Sequence, residues 1–182
     1  MRKILLIPLL AALVIAPLHA ASTVTDPSRP RALPADGPVS VEWTDPAEFS
    51  ELRFSQNRWE AQQGDWVTQL ARYLQERAAA RLPEGQRMDV TITDIKRAGS
   101  FEPWHGANAN NIRVMRDVYP PRMTLQVRIT DADGRVVSEG EQRLVDTAFL
   151  MNSRPMDTDP LRFEKDMIDT WLRRELPAPP RA

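Results

Sequence analysis

The stretch that decides the fold is 122-RMTLQVRITDADGRVVSEGEQRL-144. Apolar and polar residues alternate from 122 to 130, which is the period of a strand with one buried face. Asp131-Ala132-Asp133-Gly134 predicts a type I turn with a bulge, because glycine adopts the left-handed conformation that this turn requires. A return strand follows from Arg135 to Leu144, with a bulge predicted at Gly140. The stretch therefore predicts a hairpin with one face for the core.

Two further strands and two amphipathic helices surround this hairpin in the sequence. Residues 39–43 and 88–93 show the same alternation. After Gly64-Asp65, apolar residues recur at every fourth position up to 82, and a second apolar helical face begins after Asp159-Pro160. Strands with one apolar face and helices with one apolar stripe pack in two layers. We therefore predict an α+β two-layer sandwich, with a mainly antiparallel sheet and both helices on one face.

The N-terminus has the pattern of a secretory signal peptide. Arg2 and Lys3 precede an apolar run at 4–18, and Ala20 is the small residue that signal peptidase needs. The run is too short to remain as a transmembrane helix. The chain has no cysteine, so it forms neither a lipid anchor on cysteine nor a disulfide. We expect export to the periplasm by the general secretory pathway, as a soluble protein with no stable membrane anchor after cleavage.

Composition divides the chain into a signal peptide at 1–20, a proline-rich leader at 21–38, a single α+β domain at 39–176 and a disordered tail at 177–182. The formal net charge is −1, and loss of the two cations of the signal peptide brings it to −3. The remaining arginines are scattered between carboxylates and form no basic patch. This charge pattern argues against a nucleic-acid partner.

Residue types that support catalysis are scarce. Cleavage of the signal peptide removes His19, so His105 is the single histidine of the mature chain. The glycine-flanked nucleophile of a serine hydrolase is absent, and 25 acidic residues offer sets of carboxylates by chance. We assign no catalytic residue. A periplasmic hydrolase stays as the alternative, using either a triad of Ser100, His105 and Asp94 or a carboxylate pair from Asp94, Glu102 and Asp117.

Metal ligands are equally scarce. One histidine and no cysteine argue against structural zinc. Asp131-Ala132-Asp133-Gly134 has a superficial likeness to a calcium loop, but aligning Gly134 with the invariant glycine of that loop places Ile129 at its first ligand position. A hairpin turn explains the motif without calcium, and we expect no metal and no cofactor.

The connection at 96–119 is longer than a turn needs and is rich in aromatic, arginine and asparagine residues. Such loops often bind ligands on a rigid scaffold. A structural role stays open: Phe101 and Trp104 could fold back over the sheet edge as a lid while the residues near Val114 add a strand. The candidate binding residues are Phe101, Trp104, His105, Asn108, Asn110, Asn111 and Arg113.

A series of short motifs runs through the chain in a fixed order. They are VSVEW at 39–43, DPAEF at 45–49, LPEGQ at 82–86, DVTITDI at 89–95, AG at 98–99, RVMRD at 113–117, YPPR at 119–122, DG at 133–134 and LVD at 144–146. With these motifs the chain resembles the uncharacterised secreted proteobacterial proteins grouped as domain of unknown function 3016. The resemblance covers most of the mature chain. It implies an envelope protein and supplies no catalytic residue.

Together these features favour a non-enzymatic, soluble periplasmic protein that binds an envelope protein partner or a small ligand. The enzyme hypothesis and the binding hypothesis can be distinguished by mutation. An enzyme would depend on His105 or on a carboxylate pair. Binding depends instead on the aromatic and amide side chains of the long connection.

We expect the exported protein to begin near Ala21, because cleavage follows the small residue Ala20. Mass spectrometry of the intact protein from a periplasmic extract measures the new N-terminus. An Ala20→Arg variant should be cleaved poorly and accumulate in its uncleaved form. An intact N-terminus retained in the membrane fraction by the wild-type protein would show that residues 1–20 act as an anchor.

Overall fold

The computed structural model describes residues 22–106, 109–151 and 156–176. The predicted signal peptide and the predicted tail at 177–182 lie outside the described residues. The fold is α+β, as predicted. Its elements in chain order are β1 (Val39–Trp43), α1 (Ser50–Arg53), α2 (Arg58–Ala61), α3 (Trp66–Ala79), β2 (Arg87–Lys96), β3 (Ser100–Phe101), β4 (Arg113–Val114), β5 (Arg122–Thr130), β6 (Val136–Val145) and α4 (Arg162–Glu175), with single 3-10 turns at Pro46–Glu48 and Pro103–His105.

The main sheet has four strands in the order β1-β2-β5-β6. β1 runs parallel to β2, while β5 runs antiparallel to both β2 and β6. A parallel pair needs a crossover, and α3 lies in the connection between β1 and β2. The register aligns Val41 with Val90, Val90 with Val127, and Val127 with Gly140. The apolar residues of neighbouring strands therefore point to the same face.

That face is covered by the two long helices, as the sequence predicted. α3 contributes Leu70 and Leu74, and α4 contributes Trp171 and Leu172, all of them buried in one cluster with the inward residues of the strands. Burial of such side chains stabilises the fold by about 1.5 to 3 kcal/mol each. No helix in the three described ranges is long and apolar enough to cross a membrane.

The hairpin turn has the expected geometry, but the bulge within β6 lies at a different residue from the one predicted. Gly134 adopts a φ of 79°, and its N–H donates to the carbonyl oxygen of Asp131 at 3.0 Å. The bulge predicted at Gly140 is wrong, because Gly140 pairs directly with Val127. The shift in register occurs beside the turn instead, where Val137 is the extra residue on β6. Two consecutive valines break the alternation there, so the strand absorbs the extra residue at that point.

Residues 22–38, predicted as a leader ahead of the domain, lie against it. Leu33 N–H donates to Val41 O at 3.0 Å, and Trp43 N–H donates to Arg31 O at 2.8 Å. These bonds pair the segment with the outer edge of β1, which would otherwise leave backbone groups unpaired. The proline content correctly argues against a helix. It does not indicate that the backbone groups between the prolines pair with β1.

Shortening a core side chain tests the assignment of the helical faces. We expect Leu70→Ala to lower the free energy of unfolding by about 2 to 5 kcal/mol and Trp171→Ala by a comparable amount, because both leave cavities. Glu76→Ala on the exposed side of α3 should change it by less than about 0.5 kcal/mol. Urea denaturation measures all three. A larger loss for Glu76→Ala than for Leu70→Ala would contradict the assignment.

Candidate functional site

The long connection between β2 and β5 begins with a turn that only glycine accommodates. Gly99 has a φ of 75°, and a Cβ built there would lie 2.7 Å from the carbonyl oxygen of Val114. The chain then forms a short antiparallel ribbon in which Ser100 pairs with Val114, and Phe101 with Arg113. The ribbon thus turns back over Gly99, and a side chain there would force the two strands apart.

A buried ion cluster, consisting of Glu51, Lys96, Arg97 and Arg113, anchors this ribbon. Glu51 lies on α1 and is fully buried. Its carboxylate accepts from Lys96 Nζ at 2.9 Å, from the Arg97 backbone N–H at 3.1 Å, and from the guanidinium groups of Arg97 and Arg113. Burial raises the pKa of Glu51, but Arg113, Lys96 and Arg97 together outweigh burial and hold it below its ordinary value. Glu51 is therefore ionised and joins α1 to β2 and β4.

Two aromatic rings pack against the arginines of this cluster. The Arg97 guanidinium carbon lies 4.8 Å from the centre of the Trp66 ring, and that of Arg113 lies 4.6 Å from the centre of the Phe101 ring. Such contacts stabilise by about 0.5 to 2 kcal/mol. Phe101 is 6% exposed and the Arg113 side chain 16% exposed. These two candidate binding residues therefore hold the ribbon in place and offer little surface to a ligand.

A second buried carboxylate, Glu164 of α4, lies in a different electrostatic environment. Its Oε1 accepts from the Ala98 N–H at 2.6 Å, while its buried Oε2 has no hydrogen-bond partner among the described residues. Burial raises the pKa of Glu164 above its ordinary value, against the opposing effects of the Ala98 N–H and of Arg97. The two buried glutamates beneath the ribbon thus have opposite tendencies to hold a proton.

A third buried carboxylate, Glu102, fixes the 3-10 turn that carries Trp104 and His105. Tyr119 donates its hydroxyl hydrogen to Glu102 Oε1 at 2.9 Å, and this bond raises the pKa of Tyr119. Glu102 Oε2 lies 3.0 Å from His105 Nε2 and 2.9 Å from an Arg116 guanidinium nitrogen. The Arg116 contact is an ion pair, the His105 contact is a close approach, and neither has the geometry of a hydrogen bond. The turn therefore rests on a buried charge while His105 is half exposed.

Beside this turn lies an open cleft of about 420 Å³, here named the amide cleft. Asn57 Nδ2 donates to the Asn110 carbonyl oxygen at 2.8 Å and to Asn111 Oδ1 at 3.3 Å. These bonds join the segment before α2 to the loop before β4. The residues that line the cleft are Gln56, Asn57, Trp59, Pro103, Asn110 and Asn111.

Large aromatic side chains are exposed around this end of the domain. Trp59 is 64% exposed, Trp104 is 63% exposed and Phe54 is 65% exposed. Trp59 lines the amide cleft, while Phe54 lines a neighbouring groove of about 400 Å³ together with Lys96 and Arg122. Exposed aromatics at a concave surface are typical of binding sites.

The structure separates the sequence-predicted binding residues into groups. Asn110 and Asn111 line the amide cleft, and Trp104 and His105 are exposed on the adjacent turn. Asn108 lies outside the described residues. Sequence reasoning missed Gln56, Asn57 and Trp59, because residues 54–59 show neither a helical nor a strand period. Trp59 itself could have indicated the site, because it is a tryptophan in a polar stretch and is not part of an apolar helical face.

The hydrolytic candidates do not come together around a shared centre. Both carboxylate oxygens of Asp94 accept from Ser50, one from its N–H at 2.6 Å and the other from its hydroxyl at 2.7 Å. Ser100 belongs to the ribbon, and Asp117 is exposed. No group of three or more His, Asp or Glu side chains is placed to hold a metal ion within residues 22–106, 109–151 and 156–176.

A protein-family model matches most of the chain. The model of a family described as "Protein of unknown function (DUF3016)" matches residues 37–174. No curated protein matches the chain, and no solved structure matches it. The matched range includes α1, the ribbon and all residues that line the amide cleft.

Neutralising Glu51 tests the role of the ion cluster. We expect Glu51→Gln to lower the free energy of unfolding at neutral pH by about 3 to 5 kcal/mol, because three cations lose their buried counter-charge. Since the folded-state pKa of Glu51 lies below its ordinary 4.5, the wild-type contribution is complete above that pH and is lost as the pH falls through the folded-state value. Urea denaturation at a series of pH values measures both effects.

Glu164→Gln is the matched variant and should have the opposite dependence on pH. The folded-state pKa of Glu164 lies above its ordinary 4.5, so its contribution is complete below that pH and is lost as the pH rises through the folded-state value. The glutamine keeps an oxygen that accepts from the Ala98 N–H. Because glutamine does not ionise, the variant does not lose stability as the pH rises. Relative to wild type, Glu164→Gln should therefore gain stability from pH 4.5 upward. Equal losses for both variants at neutral pH would contradict the assignment.

Proposed function

The chain belongs to the family of proteins of unknown function DUF3016, and from that premise we propose a role based on its own geometry. It is an exported, non-enzymatic protein of the periplasm that binds a ligand of the cell envelope, either a small molecule or a partner protein. The binding surface is the amide cleft, with Trp104 on the adjacent turn.

The observation that carries this proposal is the composition of the amide cleft. Trp59 exposes most of a large ring at a concave surface, where a purely structural loop would place a short polar residue. The side-chain amides of Gln56 and Asn110 make no hydrogen bond to the described part of the chain. An aromatic surface beside donors and acceptors that the described residues do not use is typical of a ligand site.

The cleft is also held in position before any ligand arrives. Asn57 accepts from the Glu60 N–H at 3.1 Å while it donates to the loop at Asn110. Ala61 of the same short helix is buried, and its carbonyl oxygen accepts from Trp66 Nε1 at 3.0 Å. Groups already held in the bound geometry lose less conformational entropy on binding. This preorganisation supports a binding role.

Export is supported by residues 1–20, which carry the charged start, apolar run and small residue of a signal peptide. A periplasmic location also agrees with the lack of cysteine, because such a chain has no thiol to protect in an oxidising compartment. We therefore place the binding event in the periplasm, where the ligands on offer are those of the cell envelope.

A periplasmic hydrolase is the second candidate, and one contact favours it. His105 Nε2 lies 3.0 Å from a buried Glu102 oxygen, the pairing by which a carboxylate orients a catalytic histidine. However, no hydroxyl side chain of the described residues hydrogen bonds to His105, so the pair lacks a nucleophile. His105→Ala tests this candidate: an unchanged phenotype would remove the version of the hydrolase that uses His105 and leave only the carboxylate pair.

Truncating Trp59 tests the binding role. We expect native mass spectrometry of protein purified from the periplasm to detect a bound ligand, which Trp59→Ala loses because the ring is its main contact. The free energy of unfolding should change by less than about 0.5 kcal/mol, because the side chain is exposed. Val137→Ala, an exposed apolar change on β6, is the control and should keep the ligand. Equal occupancy in all three proteins would contradict the proposal.

A further inference from the structure

We propose that the ligand of the amide cleft is a neutral oligosaccharide, with the Trp59 ring lying against the flat face of a pyranose unit. The inference rests on the proposed function, because it names the ligand class for the same cleft. The aromatic surface, the amide groups and the charge of the lining support this ligand class.

The aromatic surface suits a sugar ring. A pyranose presents C–H groups on one face and hydroxyl groups around its rim, so it has an apolar side although the molecule is polar. The face of an indole carries negative charge density and attracts such polarised hydrogens. Trp59 is 64% exposed and projects from a short helix that Asn57 caps. Its ring is therefore available, on a helix whose start is fixed by the Asn57 cap.

The amide groups suit the hydroxyls around the same ring. A sugar hydroxyl donates and accepts, and a carboxamide offers both a donor and an acceptor. Gln56 and Asn110 have both ends of their amides free of the described residues. Asn111 uses its oxygen to accept from Asn57 and keeps its NH₂ free of them. Three amides that line the same cleft as Trp59 thus offer hydrogen-bonding groups to a ligand that contacts the ring.

The charge of the lining selects among ligands that stack on aromatics. None of the six lining residues that the structure describes is charged, in contrast to the neighbouring groove, where Asp94, Lys96 and Arg122 meet. Nucleotides and acidic glycans need cations at their anionic groups, and the described lining of this cleft contains none, the exposed Arg58 of α2 lying outside it. A peptide needs pockets for apolar side chains, whereas the lining has only Trp59 and Pro103 as apolar residues beside four amides. An uncharged lining with four amides and one exposed ring therefore favours a neutral, hydroxyl-rich ligand.

The cleft is shallow and open, which favours an internal stretch of a chain over a single enclosed sugar. Its described sides come from residues 56–59 on one side and from Pro103, Asn110 and Asn111 on the other, and the Asn57 bonds join the two. A ligand lying across both segments contacts the ring from one side and the asparagines from the other. Affinity for longer oligosaccharides should therefore exceed affinity for the monosaccharide.

The test is titration of the mature protein with chito-, cello- and malto-oligosaccharides, followed by tryptophan fluorescence and calorimetry. The first series carries acetamido groups and the other two carry hydroxyls alone, so the comparison also identifies which substituent the amides prefer. We expect at least one series to bind. Trp59→Ala should weaken that binding by about tenfold or more, and Trp59→Phe should weaken it less, because the smaller ring keeps part of the stacking surface.

Phe54→Ala is the matched control, because Phe54 is equally exposed but lines the neighbouring groove. It should leave the affinity within about twofold of wild type. Binding by none of the three series, or binding that Trp59→Ala leaves unchanged, would overturn the saccharide assignment. If native mass spectrometry still finds a peptide or protein ligand that Trp59→Ala loses, the binding role stands and only the ligand class fails. If Trp59→Ala changes neither readout, both proposals fail.

Discussion

The Glu51 carboxylate is enclosed by three cations that come from distant parts of the chain, and the candidate site depends on this arrangement. Removing a carboxylate from water costs several kcal/mol, which only well-placed counter-charges offset. Lys96 and Arg97 supply them from the end of β2, and Arg113 supplies them from the ribbon. Because all three cations must converge on one point, the cluster determines where the ribbon lies over the helices. The loop before β4, with Asn110 and Asn111, follows from that position.

The layer beneath the ribbon is thus polar, although the main core between sheet and helices is apolar. Arg97 and Arg113 are shared between an ionised Glu51 and a Glu164 that burial disposes to hold a proton. Replacing such a layer by apolar residues is often neutral or stabilising, so its presence is weak evidence for stability. Its geometric effect is clearer. Charges that must meet allow few alternative arrangements, so the ribbon and the turn at Glu102 are held in one position.

The sequence predicted the elements that have a local period and failed where position depends on distant contacts. Alternation identified β5 and β6, and fourfold spacing identified α3 and α4, because one face of each is buried. Phe101 and Arg113 looked like contact residues, since nothing local indicates that Arg113 meets a carboxylate 62 positions away. Trp59 was missed because α2 has four residues, too few to show a period. The composition of the loop was enough to select its asparagines as binding candidates. Their contact with Asn57 and their place in the amide cleft could not be predicted, because both depend on how the chain folds.

The docking of residues 31–33 along β1 has a consequence for where the domain can be divided. The family match begins at residue 37, whereas backbone pairing with the sheet begins upstream of it. A fragment cut at the family boundary would leave β1 as a bare strand edge with unsatisfied N–H and C=O groups. Such edges recruit other chains, and β6 already forms the opposite border of the sheet. The short segment between the prolines thus covers this edge of the sheet and satisfies backbone groups that a fragment beginning at residue 37 would expose.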